Sequence, residues 1–290
     1  MRGLFALASA VASIGVLATS LSAQWPVYRD AAAPRTADGK INVNAPAPKF
    51  VDGHPDLSGV WENLGWREGA SANDSVSGTG GAPGSRSAES RRPPAPSIAA
   101  FFDLGSLVPG GLPYQPWARE LRNKRLADGA KDNPDAHCLP LGNVQLHLHP
   151  EPRKIIQAPK VIVILYEGNG GVRQIFTDGR ALPTGDPQPW WFGYSTGKWV
   201  GDTLVVESSG FRDGGWLDVN GSPLTDAGKM TERFRRVNYG TLEVEITVDD
   251  AKAYTRPWTV KIPQRLMPDA ELIEFVCAEN ERDAQHFGDK

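Results

Sequence analysis

"WWFGYSTGKWVGDTLVVESSGF", residues Trp190 to Phe211, contains Gly193-Tyr194-Ser195-Thr196-Gly197, a match to the pattern G-x-S-x-G. In α/β-hydrolases that pattern sets a nucleophilic serine on a strained turn between a strand and a helix. Here the serine is followed by Lys198-Trp199-Val200-Gly201-Asp202-Thr203-Leu204-Val205-Val206, which reads as a turn and a strand. The glycines then shape a hairpin bend, and Ser195 is not expected to be a nucleophile. His286 would complete a Ser…Asp…His order, but three residue types in order constrain little. The stretch points instead to an antiparallel β protein.

The flanking sequence extends that pattern. Short apolar or alternating runs recur at 155–157, 161–166, 172–178, 198–208, 230–237, 242–248, 258–265 and 271–277. Turn signals separate them, among them Gly168-Asn169-Gly170-Gly171, Asp178-Gly179, Asn238-Tyr239-Gly240 and Pro268-Asp269. A parallel βαβ sheet would need helical stretches of about 10–15 residues between strands, and these are missing. The expected fold is mainly β: one domain over residues 57–290, built as an antiparallel barrel of lipocalin or calycin type or as a curved sandwich. Leu57-Ser58-Gly59-Val60-Trp61-Glu62 is its first strand. Residues 116–129 form the one convincing helix, with Pro116 in its first turn and Trp117, Leu121 and Leu126 near one stripe. Residues 24–56 form an extended N-terminal segment. The Gly, Ser, Ala and Pro of residues 69–96 predict a mobile insertion, because little there can be buried to offset ordering.

The first 23 residues have the layout of a secretory signal peptide: Arg2, an apolar run from Leu4 to Leu21, and small residues before Gln24. A retained membrane anchor is the alternative, weakened by Ser9, Ser13, Thr19 and Ser20. Cleavage would give a periplasmic or secreted protein with no membrane span. A formal charge of −3 gives none of the basic footprint that nucleic-acid binding needs. The two cysteines, Cys138 and Cys277, most simply pair in an oxidising compartment, with two buried thiols as the alternative. In the chain-entropy model such a loop stabilises by about 4–5 kcal/mol. With no C-x-x-C or C-x-x-C-H motif, redox and haem-attachment readings fail.

Three groups of residues invite a chemical reading. Glu207 lies mid-strand, in phase with Thr203 and Val205. If that face points inward, Glu207 needs a partner such as Arg233 or Arg235, and the pair is either catalytic or a structural ion pair. Trp190, Trp191, Tyr194, Trp199 and Trp216 concentrate aromatic surface that either stacks on a ligand at a barrel mouth or plugs the barrel end. His147-Leu148-His149 would share a strand face, with His137, Glu151 or His54 as further ligands. Pro150 and Pro152 favour an exposed strand end there, so no metal or other cofactor is assigned.

Several motifs are similar to those of a family of secreted β-rich proteins from soil and aquatic bacteria. They include Asp56-Leu57-Ser58-Gly59-Val60-Trp61, Phe176-Thr177-Asp178-Gly179-Arg180, Trp191-Phe192-Gly193-Tyr194-Ser195, Trp199-Val200-Gly201-Asp202-Thr203-Leu204-Val205-Val206 and Thr231-Glu232-Arg233-Phe234. The resemblance spans roughly residues 30–62 and 114–287. It implies export and a β-rich fold, and no activity. Relatives often carry histidine at Tyr194, and Gly-His-Pro-His in place of Gly221-Ser222-Pro223-Leu224, so no histidine role transfers. The Gly-x-Trp strand before an antiparallel meander also resembles lipocalin architecture. The expected function is binding of a small apolar or aromatic molecule in a barrel pocket, with Glu207 and Arg233 orienting it. The alternative is a periplasmic isomerase, lyase or hydrolase using Glu207 as base and Arg233 against developing negative charge. Oligomeric state is left open.

Overall fold

The strands alternate inward apolar and outward charged residues, and a sheet with that period-two pattern has one face to hide. In the computed structural model, which describes residues 29–64, 104–185 and 187–277, the sheet hides it by closing on itself. The expected signal peptide, the 69–96 insertion and His286 lie outside the described residues. Within 29–56 the chain is a series of tight turns rather than an extended segment, with the isolated bridges Arg35↔Ile41 and Lys49↔Pro55 closing two of them.

The elements in chain order are β1 (Gly59–Asn63), α1 (Leu104–Leu107), α2 (Pro116–Ala127), a 3-10 turn at Pro134–His137, α3 (Asn143–Leu148), β2 (Arg153–Ala158) and β3 (Val161–Tyr166). A 3-10 turn at Gly168–Gly170, β4 (Val172–Phe176), β5 (Tyr194–Val200), β6 (Thr203–Ser209), β7 (Gly215–Trp216) and β8 (Pro223–Leu224) follow. The last strands are β9 (Lys229–Arg236), β10 (Thr241–Asp249) and β11 (Trp258–Leu266). The closed barrel runs β1-β11-β10-β9-β6-β5-β4-β3-β2, and β7 and β8 form a small separate hairpin. Every neighbouring pair in the barrel is antiparallel except β4–β5, which is parallel and matches only Ile175↔Ser195 and Phe176↔Thr196.

Alternation sets the inside. Met230, Glu232, Phe234 and Arg236 of β9 are buried, as are Leu242, Val244, Ile246 and Val248 of β10. The outward residues pair across the strands, Arg235 with Glu243 at 2.6 Å and Lys261 with Glu245 at 3.2 Å. A charged outer wall is the reverse of a lipid-facing barrel. Among the described residues no helix is long and apolar enough to cross a membrane.

The expected barrel is present, and buried side chains and a short helix pack inside it. All six residues of α3 are buried within the ring of strands. A helix this short is unstable alone, and side chains of the wall hold it by satisfying its last carbonyls. Arg153 Nη1 and Gln264 Nε2 donate to the His147 carbonyl at 2.9 and 3.1 Å, and Asn63 Nδ2 donates to that of Leu148 at 2.8 Å. The strand end expected at His147–His149 is therefore the end of a helix. Helix α2 stands where expected, but Trp117 and Leu126 of its stripe are exposed; it packs through Ala118 and by laying Arg125 over Trp216 at 4.5 Å.

The run 271–277 forms no strand, because β1 already occupies the edges of β11 and β2. It crosses the outside instead, with Lys154 bound to Glu271 and Glu167 Oε2 accepting from the Ile273 amide at 3.1 Å. The expected disulfide is present: Cys138 and Cys277 are joined with Cα atoms 5.6 Å apart.

Candidate functional site: a buried polar network and a cleft at the parallel seam

Strand β4 turns Val172 and Gln174 outward and Arg173 and Ile175 inward. An arginine inside a barrel needs a carboxylate and further acceptors, since an unpaired buried charge costs several kcal/mol. Arg173 finds them on three other strands. Its Nη1 donates to Glu232 Oε1 of β9 at 2.9 Å and its Nη2 to the second carboxylate oxygen. Nη2 also reaches Ser195 Oγ of β5 and Ser208 Oγ of β6, each at 3.1 Å, and the two hydroxyls are 2.8 Å apart. Ser195 thus sits inside β5, fully buried, and not on a strand–helix turn.

His147 of α3 completes the group, its Nε2 lying 3.4 Å from Glu232 Oε1. Burial alone would raise the Glu232 carboxyl, but the charge and hydrogen bonds of Arg173 outweigh it and hold the group at about 2. Burial pushes His147 down to about 4 against the opposing pull of Glu232. Near neutral pH the network is therefore an ionised carboxylate, a guanidinium and a neutral imidazole. Tyr166 packs edge-on to His147, with ring centroids 5.9 Å apart, and burial raises its hydroxyl above the ordinary range.

A cleft of about 300 Å³ lies against this network's outer side, lined by Pro140, Val172, Arg173, Gln174 and the run Pro189 to Gly193. It exists because β4 and β5 pair only at residues 175–176 and 195–196, so the wall is open between the first half of β4 and the chain leading into β5. Gly193, at φ +65°, makes the bend into β5, packed so tightly that an added Cβ would lie 2.7 Å from Phe211. A second cavity of about 400 Å³, under the N-terminal segment, is charged: Asp30, Asp56, Asp269 and Glu271 line it with Lys154 and Arg236. The seam cleft is the more aromatic of the two, with Trp190, Trp191 and Phe192 against Tyr239 alone.

The expected aromatic group divides. Trp190 and Trp191 line the cleft. Tyr194 is beside them, 5.3 Å from Trp190, with its hydroxyl accepting from Arg180 Nη1 at 3.1 Å. Trp199 is at the far end of β5, stacked on His54 at 4.7 Å, and Trp216 is buried under Arg125. Glu207 and Arg233 do not form the expected inward pair. The inward phase of β6 is Leu204, Val206 and Ser208, which leaves Glu207 exposed opposite Thr231. Arg233 is likewise outside, 3.9 Å from Glu245. His147 and His149 diverge, the first to Glu232 and the second to Glu151 at 2.8 Å. Among the described residues no group of three or more His, Cys, Asp or Glu could hold a metal ion.

Sequence reasoning missed Arg173 and Glu232, and read His147 as a candidate metal ligand rather than as the neighbour of Glu232. The first two were accessible from phase: Glu232 alternates with Met230 and Phe234, and Arg173 with Ile175. Comparison with protein-family models, curated proteins and solved structures finds no match for this chain.

Proposed function

We propose that this is an exported protein that binds a small apolar or aromatic molecule in the cleft at the β4–β5 seam. The observation that carries this reading is the cleft's wall: Pro140, Pro189, Trp190, Trp191 and Phe192 give it concave apolar and aromatic surface at a size suited to one small ring system. Export, to the periplasm or beyond the cell, is supported by the signal-like N-terminus and by a disulfide, which persists in oxidising compartments. Glu207 and Arg233 stand on the outer wall, so the binder loses its expected orienting pair and the enzymatic alternative the base and arginine it was built on.

Native mass spectrometry of protein purified from its own host should find a retained small molecule. Toluene and naphthalene should raise the melting temperature of the full chain. Trp190→Ala should weaken toluene by about three- to tenfold, the worth of one aromatic contact. A chain that carries nothing from its host and is indifferent to both hydrocarbons does not have this function.

A further inference from the structure

We infer that the cleft has an inner compartment, closed by the Phe192 ring, in which Tyr166 and His147 recognise the hydroxyl of an uncharged phenolic ligand. The inference rests on the cleft being a binding site.

Phe192 lines the cleft on one side and on the other lies with its ring centroid 6.0 Å from that of Tyr166. Gly171 makes room for it, since a Cβ there would come within 3.1 Å of Phe192 Cζ. The backbone at this point is fixed. Asn143 Nδ2 of α3 donates to the Phe192 carbonyl at 3.0 Å, and Gly193 is wedged against Phe211. Entry to the compartment is therefore assigned to a turn of the ring about its side-chain bonds.

Behind it are two polar atoms that packing does not require. The Tyr166 hydroxyl is buried beside the Arg173 guanidinium, which can only donate to its oxygen, and its own proton has no acceptor. Phenylalanine would fill the same space without the roughly 1–3 kcal/mol that an unsatisfied buried group costs. His147 presents a second such atom. Its Nε2 makes no close hydrogen bond but lies 3.4 Å from Glu232 Oε1, and since a carboxylate only accepts, we place the imidazole proton on Nε2. That leaves Nδ1, also without a partner, as an acceptor. One donor and one acceptor on adjoining rings match a hydroxyl, which can give its proton to Nδ1 and accept from Tyr166.

Charge narrows the ligand further. Arg173 and Glu232 neutralise each other across their double hydrogen bond. A carboxylate ligand would meet Glu232 at this point and an ammonium would meet Arg173, so a neutral phenol fits where either ion does not.

The test uses phenol and toluene, which have nearly the same shape, on the full disulfide-bonded chain and on Tyr166→Phe. The variant keeps the ring and should fold at least as stably. It should weaken phenol about tenfold and change toluene by less than about twofold, the difference one hydrogen bond makes. In the wild type, phenol and not toluene should shift the His147 Nδ1 nitrogen resonance. Equal effects of Tyr166→Phe on the two probes, or an unmoved His147 resonance, overturn the inner compartment while toluene binding leaves the cleft standing. If neither probe binds, cleft and compartment fall together.

Discussion

Between β9, β10 and β11 each strand is matched to the next over eight residue pairs, whereas β4 and β5 share two and run parallel. The long ladders are held by their main chains, and Val244, Ile246, Val260 and Ile262 fill the inner face between the inward polar residues Glu232, Arg236 and Gln264. At the seam, main-chain pairing is scarce and one side chain substitutes for it: Arg173 leaves β4 and bonds to residues on β5, β6 and β9. The polar network is thus the seam's structural replacement for a ladder. The same shortage of pairing opens the cleft, so the least stitched part of the wall is also the part with room for a ligand.

The disulfide offers the largest disturbance on the seam side, because Cys138 stands two residues before Pro140 of the cleft wall. Cys138→Ser with Cys277→Ser should lower unfolding free energy by about 4–5 kcal/mol in the chain-entropy model, read from urea curves. A loss below about 1 kcal/mol would mean the tie constrains neither folded nor unfolded chain. Next comes Glu232→Gln, which leaves Arg173 buried without its counter-charge and should cost about 3–5 kcal/mol. Replacing both, Arg173→Met with Glu232→Leu, should cost far less. If the single change is as mild as the double, the network is not what closes the seam.

The same network sets an acid limit. His147 is held below its ordinary 6.5, so the unfolded chain takes up that proton first and stability falls as pH drops from about 6.5 to 4. Glu232, lowered from 4.5 to about 2, contributes fully above about 4.5 and loses its contribution as pH falls towards 2. Urea midpoints should therefore decline from below pH 6.5, and His147→Leu should remove the upper part of that decline. A flat profile from pH 6.5 to 4.5 contradicts the assignment.

Two glycines sharpen the contrast at lower cost. Gly193 at the seam and Gly201 in the β5–β6 turn both have left-handed backbones, at φ +65° and +59°, but only Gly193 is crowded. Alanine should cost about 1–2 kcal/mol at Gly201, for the backbone alone, and about 1–3 kcal/mol more at Gly193. Equal costs would mean the loop before β5 relaxes freely. The smallest effect belongs to the outer wall: a double-mutant cycle on Arg235 and Glu243 should give about 0.2–1 kcal/mol, shrinking with salt.

What the sequence disclosed follows from how local each signal is. Val161–Tyr166 emerges as β3 with its limits intact, and runs 230–237, 242–248 and 258–265 become β9, β10 and β11 with ends moved by a residue. Alternation and turn residues encode these locally. The phase of β6 was ambiguous because Leu204, Val205 and Val206 offer apolar residues to both faces, and only contact with β5 and β9 decides it. His147–His149 resembled a strand end because the donors that hold Asn143–Leu148 as a helix come from three strands, two of them, with Asn63 and Gln264, far away in sequence. Of the candidate site, Trp190 and Trp191 were legible as aromatic surface, while the Arg173–Glu232 pair depends on a separation of 59 residues that no local pattern records.

The order in which the barrel can be completed follows from β1. The cysteines enclose every strand from β2 to β11, and β1 lies before them, yet it must be seated between β11 and β2. Its match to β11 joins Trp61 with Leu266, near-opposite ends of the chain, over three residue pairs, and its match to β2 is another three. So long a closure gains little until both neighbours exist, which makes β1 a late arrival in folding. Until then the oxidised chain is a sheet with two free edges that accept any strand of the right pattern, including the β1 of a second molecule. Slow steps in refolding, and strand-exchanged dimers at high concentration, therefore belong to this five-residue piece.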